Sequence, residues 1–412
     1  MTHDERAVDE VRCALASAIA EQRLRIVAAL IRTTGDWDLA EDAVADATQR
    51  ALQRWPVDGV PHNPAAWLTT TARRRAIDLI RRTQTERAKL AEVAVIEERD
   101  NASGGPSHGS TTPMADDRLR LVFTCCHPAL SIEARVTLTL RVVANLSTAT
   151  IARLFLTSEV TVGQRLLRAK QRIAHAGIPY RVPIGDAQPE RLEGVLAVIY
   201  LVFTEGYATA NADVADEAIR VGRLVVELMP EADEARGLLA LMLLQHARRT
   251  ARMVGGNLVT LEQQDRTRWD AAAIAEGLAL LRVAADARGS YRLQAELASV
   301  HAVASDAAST DWLAIVALYD ELLDHQPSPI VALNRAVAIG MSDGPLVGLA
   351  ALDRLRGEPK LLGHHLVAAT RADLLARAGR TTEALAALDQ AIDLAPTETE
   401  RRQLTGRRAD LT

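Results

Sequence analysis

Apolar residues recur at the three- and four-residue spacing of a helix over residues 21–55, and the pattern is interrupted once. The interruption lies at Gly35 and Asp36, so two helices are predicted, with Asp36 or Asp38 able to cap the second. Three prolines and one glycine within residues 56–64 then predict a loop.

A third helix is predicted from about Ala65 to Arg87, and a second helical region from Asp116 to about Ala176. Between them, residues 98–114 contain almost no apolar side chains, which is typical of a flexible linker. The predicted domains are 10–90, 116–182 and 186–412, with the flexible linker at 91–115.

Composition indicates the fold class. Hydrophobic residues make up 48% of the chain but aromatic residues only 3%, so the core must consist mainly of Ala, Leu and Val. Ala and Leu favour helices, whereas strands are enriched in β-branched and aromatic residues. We predict an all-α protein, with two small helical domains followed by a larger helical region.

The location of the protein follows from cysteine use and apolar runs. Three cysteines in 412 residues are too few for a disulfide framework, which indicates a reducing compartment. The N-terminal residues lack the apolar core of a signal peptide, and the longest apolar run, 195–203, is far shorter than the roughly 20 residues that span a bilayer. A cytoplasmic protein is expected.

Charge is distributed unequally along the chain. Residues 1–185 contain 25 Lys and Arg against 21 Asp and Glu, a balance of +4, and the remainder has a balance of −9. A basic half joined to an acidic half suggests that the first half contacts a polyanion. An ordinary charged surface stays open as the alternative.

The acidic half contains a weak internal repeat. The segment VALNRAVA at 331–338 matches VAATRADL at 367–374, and AALD recurs at 350–353 and 386–389. Both matches have an offset of 36 residues, close to the roughly 34-residue period of tetratricopeptide helix pairs. The repeat predicts a tetratricopeptide-like (TPR-like) α-helical solenoid, unless Ala-rich helices merely resemble one another.

Residues 147–173 predict a helix-turn-helix. Ser147 caps a short helix, a tight turn follows, and Ser158 caps a longer helix. Basic and amide side chains on the second helix suit phosphates and base edges of a major groove, although a structural hairpin with a solvated basic face is the alternative. The outward residues are Thr161, Gln164, Arg165, Arg168, Lys170 and Arg172.

A second basic helix is predicted over residues 63–82. Ile77, Leu79 and Ile80 can pack inward, while five arginines concentrate positive charge. Trp67 lies near its start, and an aromatic ring beside arginines suits single-stranded DNA, because bases stack on rings and phosphates pair with guanidinium groups. Asn63 could hydrogen-bond the edge of an extruded base. A core position for Trp67 is the alternative.

Together, the acidic helix, the basic stretch AWLTTTARRRAIDLIRR and the helix-turn-helix ending SEVTVGQRLLRAKQRI resemble a bacterial RNA polymerase sigma factor of the extracytoplasmic-function group. The resemblance covers roughly residues 15–176, and the rest of the chain is similar to the subgroup with a TPR-like extension. It implies a protein without catalytic residues, metal or cofactor that binds core RNA polymerase, recognises the −35 and −10 elements of promoter DNA and promotes strand opening.

The resemblance implies three sets of functional residues. Polymerase binding is implied for Asp38, Glu41, Asp42 and Asp46. Opening of the −10 element is implied for Asn63, Trp67, Arg73, Arg74, Arg75, Arg81 and Arg82. Recognition of the −35 element is implied for Ser158, Thr161, Gln164, Arg165, Arg168 and Lys170.

The stretch FTCCHPALS, residues 123–131, contains Cys125, Cys126 and His127. Adjacent cysteines point in different directions, and the sequence offers no second pair of ligands at zinc spacing. The prediction is that these small side chains brace the second domain by packing, with a metal or redox function as the alternative.

Two other functions stay open at this point. A conventional helix-turn-helix regulator with a helical sensor domain would act without polymerase, and a helical scaffold would act without DNA. For the acidic extension, a protein-binding groove or an internal clamp on the first two domains is expected, since its charge would repel DNA.

Overall fold

The computed structural model describes residues 3–94, 116–185, 187–208, 212–254, 257–283 and 288–412. They form two compact units, Met1–Val198 and Ile199–Thr412. The predicted all-α class is confirmed. Most of the predicted linker lies outside the described residues, although its first four positions, 91–94, belong to a helix.

Unit 1 consists of seven α-helices and the first half of an eighth in the part of the chain that is described. In order they are α1 (His3–Thr34), α2 (Trp37–Asp58), α3 (Pro64–Ala94), α4 (Asp117–Cys125), α5 (Ile132–Leu138), α6 (Thr148–Leu154), α7 (Glu159–His175) and α8 (Ala187–Ala208). A π-helical turn, Thr139–Val143, lies between α5 and α6. The boundary between the units falls within α8.

The predicted break between the first two helices is confirmed. Gly35 has φ +69°, a conformation that glycine adopts without steric cost, and the Leu39 amide donates to Asp36 Oδ1 at 3.0 Å. Of the two candidate caps, therefore, Asp36 is the cap.

The predicted loop at 56–64 begins too early. Helix α2 continues through Pro56 to Asp58, because the preceding Trp55 is buried and Gly59 N donates to Trp55 O at 3.0 Å. A proline in the last turn removes only one backbone donor. The connection to α3 is thus reduced to residues 59–63.

Unit 2 contains α8's second half and eleven further helices among the described residues. They are α9 (Ala212–Leu228), α10 (Asp233–His246), α11 (Arg249–Arg252), α12 (Ala271–Arg282), α13 (Ser290–Val303), α14 (Trp312–His325), α15 (Pro329–Ser342), α16 (Pro345–Asp353), α17 (His365–Arg377), α18 (Thr381–Leu394) and α19 (Glu398–Asp410). Two short antiparallel strands, β1 (Met253–Val254) and β2 (Asn257–Leu258), pair after α11.

The 36-residue sequence repeat corresponds to successive helix pairs. Its first copy covers α15 and α16, and its second covers α17 and α18. An arginine–aspartate ion pair that joins one helix pair to the next helix also recurs at nearly the same offset. Arg371 Nη2 lies 2.6 Å from Asp353 Oδ1, and Arg408 Nε lies 2.5 Å from Asp389 Oδ1. The repeat is therefore a repeat of helix packing as well as of sequence.

Candidate nucleic-acid interface

The four acidic residues of α2 lie at different depths on the helix surface. Ala40, Ala43 and Ala47 are buried against neighbouring helices, whereas Asp38 and Asp42 are exposed. Asp46 is partly buried, and it lies 2.8 Å from Arg50 Nε and 3.5 Å from Arg75 Nε. Glu41 is also partly buried, so the four predicted polymerase contacts differ in accessibility.

Helix α3 begins at an aromatic pair. Asn63 Oδ1 accepts from the Ala66 amide at 2.9 Å and so caps the helix. Trp67 is half-buried, and its ring meets buried Trp55 edge to face, with centroids 5.5 Å apart and planes at 73°. Trp67 is therefore neither a core residue nor a free ring, and part of it remains open to solvent.

The arginines of α3 form a solvent-facing basic surface. Helix α3 buries Leu68, Ala72 and Ala76, and not the predicted Ile77, which is 43% exposed. The prediction was wrong because small alanines at four-residue spacing permit closer helix packing than Ile77 would. The exposed arginines are Arg73, Arg74, Arg81 and Arg82, while Arg75 is partly buried beside Asp46.

The helix-turn-helix is confirmed by its capping. Ser147 Oγ accepts from Thr150 N at 3.0 Å, and Ser158 Oγ accepts from Thr161 N at 3.1 Å, so each serine starts its helix. The turn between them contains Leu156, which has φ +47° and is 96% exposed.

Helix α7 is divided between an apolar and a polar face. Its buried residues are Val162, Leu166, Ala169 and Ile173. Gln164 and Arg168 are exposed, and Thr161 and Arg165 are partly exposed at the edges. Five of the six residues predicted to read the −35 element are thus brought to the start or the outer face of one helix.

Lys170 differs from those five. It lies about 2.5 turns after Thr161 and so on the other side of α7. Its ammonium is 2.6 Å from Asp38 Oδ1 and 3.0 Å from Glu41 Oε2, and its side chain is 12% exposed. Burial lowers the pKa of Lys170, but the Glu41 charge and hydrogen bonds to Asp38 and Glu41 outweigh burial and raise it above its usual value. Contact of Lys170 with DNA stays a prediction.

Contacts between α1 and the second helical region were not predicted from the sequence. Arg32 Nε lies 2.9 Å from Asp117 Oδ2, and Arg23 Nη1 donates to Val142 O at 3.0 Å. The Tyr180 hydroxyl lies 3.0 Å from Ala28 O. Periodicity reports which face of a helix is apolar, but it cannot show which distant segment meets an isolated polar residue.

Cys125 and Cys126 are buried at the end of α4, in agreement with a packing role. Burial raises the pKa of the Cys126 thiol to about 11, and burial also raises that of Cys125. His127 Nδ1 accepts from the Ala129 amide at 3.1 Å. Within the described residues, no group of three or more His, Cys, Asp or Glu is placed to hold a metal ion.

Unit 2 contains a cavity of about 560 Å³. Trp312, Tyr319, Asn334 and His301 line it together with apolar side chains of α15 and α17. Burial, reinforced by Arg248 and Arg266, lowers the pKa of His301 to about 4. The described helices include none with the length and apolar character needed to cross a bilayer.

Comparison with known families agrees with this arrangement. Residues 19–86 match Sigma-70 region 2, and residues 120–173 match Sigma-70, region 4. Region 2 therefore covers the acidic helix α2 and the basic part of α3, and region 4 covers the helix-turn-helix. These two regions define the class of the protein as a sigma factor.

The comparisons extend beyond the sigma regions. The chain belongs to the same family as an uncharacterized protein of Rhizobium meliloti (strain 1021), which is 43% identical over 392 residues, 93% of this chain and 92% of the relative. Residues 191–285 match a family of unknown function, DUF6596. No solved structure matches the chain.

Proposed function

We propose that this sigma factor belongs to the extracytoplasmic-function group, acts in the cytoplasm and directs core RNA polymerase to promoters with a −35 and a −10 element. The observation that carries the proposal is the orientation of α7. Its apolar face packs within the helix-turn-helix domain, while Gln164 and Arg168 are exposed to solvent. Amide and guanidinium groups are the side chains that read base edges in the major groove.

The start of α3 supports a role in strand opening. Trp67 presents a partly open ring next to exposed arginines, which suits stacking on an unpaired base and neutralisation of its phosphate. Because Asn63 Oδ1 caps α3, only its amide nitrogen is left to donate to such a base. Binding the extruded base stabilises the melted strand without covalent chemistry, and the polymerase supplies catalysis.

The acidic surface of α2 is proposed as the polymerase contact. Asp38 and Asp42 are exposed on it, and Glu41 and Asp46 are partly buried. Acidic side chains on one helix face provide electrostatic complementarity to a basic partner and speed association.

The helical unit that follows is proposed to be TPR-like and to serve regulation or protein interaction. Its support is the repeated packing of α15–α18 and the recurrent arginine–aspartate pair described above. A truncation that tests regulation should keep α8, because Arg191 Nη2 on α8 donates to Phe123 O in unit 1 at 2.9 Å. Unchanged promoter activity and stress response after removal of the following helices would eliminate a regulatory role.

The main test is transcription in vitro with purified core polymerase on candidate promoters. Gln164→Ala and Arg168→Ala should reduce initiation at promoters with a −35 element, because each removes a proposed base contact worth about 1–3 kcal/mol. Arg402→Ala, at an exposed position of α19 in unit 2, removes the same charge as Arg168→Ala outside both sigma regions and should leave initiation unchanged.

A second assay separates promoter recognition from strand opening. Trp67→Ala should leave polymerase binding intact and reduce permanganate reactivity of thymines in the −10 element. Failure of the intact chain to associate with core polymerase, together with specific DNA binding in its absence, would instead favour a conventional helix-turn-helix regulator.

A further inference from the structure

Regions 2 and 4 of the sigma factor contact each other through charged side chains. Lys170 of α7 lies between Asp38 and Glu41 of α2, at 2.6 and 3.0 Å. Arg141 Nε, on the π-helical turn next to α5, approaches Glu41 Oε1 at 3.5 Å. Two basic residues of the DNA-reading region therefore converge on the acidic surface proposed to bind polymerase.

The ion pair between Lys170 and Glu41 is shielded from solvent. The side chains of Lys170 and Glu41 are 12% and 14% exposed, whereas Asp38 is 73% exposed. A partner protein could reach Asp38 at its outer edge, but Glu41 is covered by Lys170 and Arg141. Charge pairs at this depth are screened less by salt than pairs at an open surface.

A second set of contacts fixes the same arrangement from the other side. Arg32 on α1 pairs with Asp117 at the start of α4, and the Tyr180 hydroxyl, following α7, lies 3.0 Å from Ala28 O on α1. Burial is the main reason that the pKa of the Tyr180 phenol is raised, so the phenol stays a neutral donor. The contact thus extends over α1, α2, α4 and α7.

The pairing at Glu41 is incomplete. Its Oε1 atom is buried and accepts no hydrogen bond, although the guanidinium groups of Arg141 and Arg23 lie 3.5 and 3.7 Å from it. A buried acceptor without a hydrogen bond costs free energy, which weakens the docked arrangement relative to a fully bonded one. Such an interface is suited to opening.

We infer that the acidic surface of α2 has two alternative occupants: α7 of the same chain, which closes the free sigma factor, and the polymerase, which binds only after α7 has left. The inference rests on the proposed role of α2 in polymerase binding. The closed form leaves the outer face of α7 free, because Gln164 and Arg168 lie away from Lys170 around the helix. Closure therefore controls access to polymerase and leaves the DNA-reading residues uncovered.

The first experiment measures closure in the full-length chain without polymerase. Donor and acceptor dyes are placed on Gln53→Cys and Gln171→Cys, both exposed, in a background in which exposed Cys13 is replaced by serine. Energy transfer should be high in this parent and should fall when Lys170→Gln or Arg141→Gln is added. Arg172→Gln removes an exposed charge from the same helix without touching α2, and it should leave transfer unchanged.

Substitutions of different charge at position 170 distinguish ion pairing from damage to the fold. Lys170→Glu should lower energy transfer more than Lys170→Gln, because a carboxylate there would be repelled by Asp38 and Glu41, whereas Lys170→Arg keeps the charge and should largely keep the transfer. Energy transfer that is insensitive to both Lys170→Gln and Lys170→Glu would overturn the docked arrangement whether or not the protein binds polymerase.

The second experiment measures affinity for core polymerase in the absence of DNA. Lys170→Gln leaves every acidic residue of α2 intact and should tighten binding by at least about threefold, because closed molecules no longer compete. An opened chain with unchanged affinity would overturn the gating role while leaving the contact itself in place. Absence of polymerase binding by every variant would instead reject the proposed function, and the energy-transfer result would still decide whether the chain closes.

Discussion

Gly348 on α16 is placed where the helix meets α15, and replacing it by alanine tests the closeness of that contact. A Cβ at position 348 would lie 2.6 Å from Gly340 Cα and 2.9 Å from Gly340 N. Non-bonded carbon atoms are most stable about 3.5–4.0 Å apart, so the two helices must separate by about 1 Å. No side chain can rotate away to relieve the clash, because the atoms that it meets belong to the backbone.

The expected loss follows from two opposing effects. Overpacking of a well-packed contact costs about 1–3 kcal/mol, while alanine in a helix is favoured over glycine by up to about 1 kcal/mol. Gly348→Ala should therefore destabilise unit 2 by up to about 2 kcal/mol, which lowers its unfolding temperature by up to about 8 °C. Gly406→Ala on α19 is the matched control, since a Cβ there meets nothing within 4 Å, and it should raise stability by up to about 1 kcal/mol.

Calorimetry of the full-length variants measures the shift, and hydrogen exchange of peptides from 329–353 localises it. Gly348→Ala should speed exchange in α15 and α16, whereas Gly406→Ala should not. If Gly348→Ala were as stabilising as Gly406→Ala, the close crossing of α15 and α16 would be refuted.

Three further predictions concern pH, backbone conformation and salt. His301 has a folded-state pKa of about 4 against 6.5 for the free side chain, so it opposes folding increasingly as pH falls below 6.5; between pH 6.5 and 5 it should cost about 2 kcal/mol. Between these two pH values, the free energy of unfolding should fall less for His301→Gln than for the wild type. An equal fall in the two proteins would contradict the burial of this imidazole. His325→Gln, at an exposed site, is the control and should behave like the wild type. Leu156→Gly should stabilise unit 1 by up to about 1 kcal/mol in thermal unfolding, because it removes the cost of a left-handed leucine, which exceeds the entropy that glycine loses on folding. Leu167→Gly, at an exposed position within α7, should instead lower stability. If both substitutions changed stability in the same direction, this explanation would be excluded. Arg172→Ala should reduce the slope of log affinity against log salt for promoter DNA by about one, as measured by fluorescence anisotropy of the polymerase complex, whereas an unchanged slope would show that Arg172 contacts no phosphate.

Local features of this fold could be predicted from the sequence, whereas contacts between distant segments could not. The break at Gly35 and the caps Ser147 and Ser158 depend on side-chain and backbone chemistry within four residues, and all three predictions are confirmed. Pro56 gave a wrong loop boundary because the burial of Trp55 outweighs the preference of proline for a helix end. Tertiary packing overrides local propensity in this way.

The same distinction between local features and distant contacts applies to the candidate interface. The outward position of Gln164 and Arg168 follows from helical periodicity, so it could be predicted. Lys170 belongs to the same basic stretch, but its partners Asp38 and Glu41 lie more than 120 residues earlier in the chain. Spacing along one helix contains no information about such a partner, which is why Lys170 was grouped with the DNA-reading residues.

The contact between Trp55 and Trp67 has a consequence for residues that never touch DNA. Trp55 is 1% exposed, and its ring packs edge to face against that of Trp67. A stacking ring that is already oriented loses less side-chain entropy when a base arrives than one that rotates freely. In the role proposed for Trp67, a smaller side chain at position 55 would therefore slow bubble formation even though every proposed contact to the promoter remained in place.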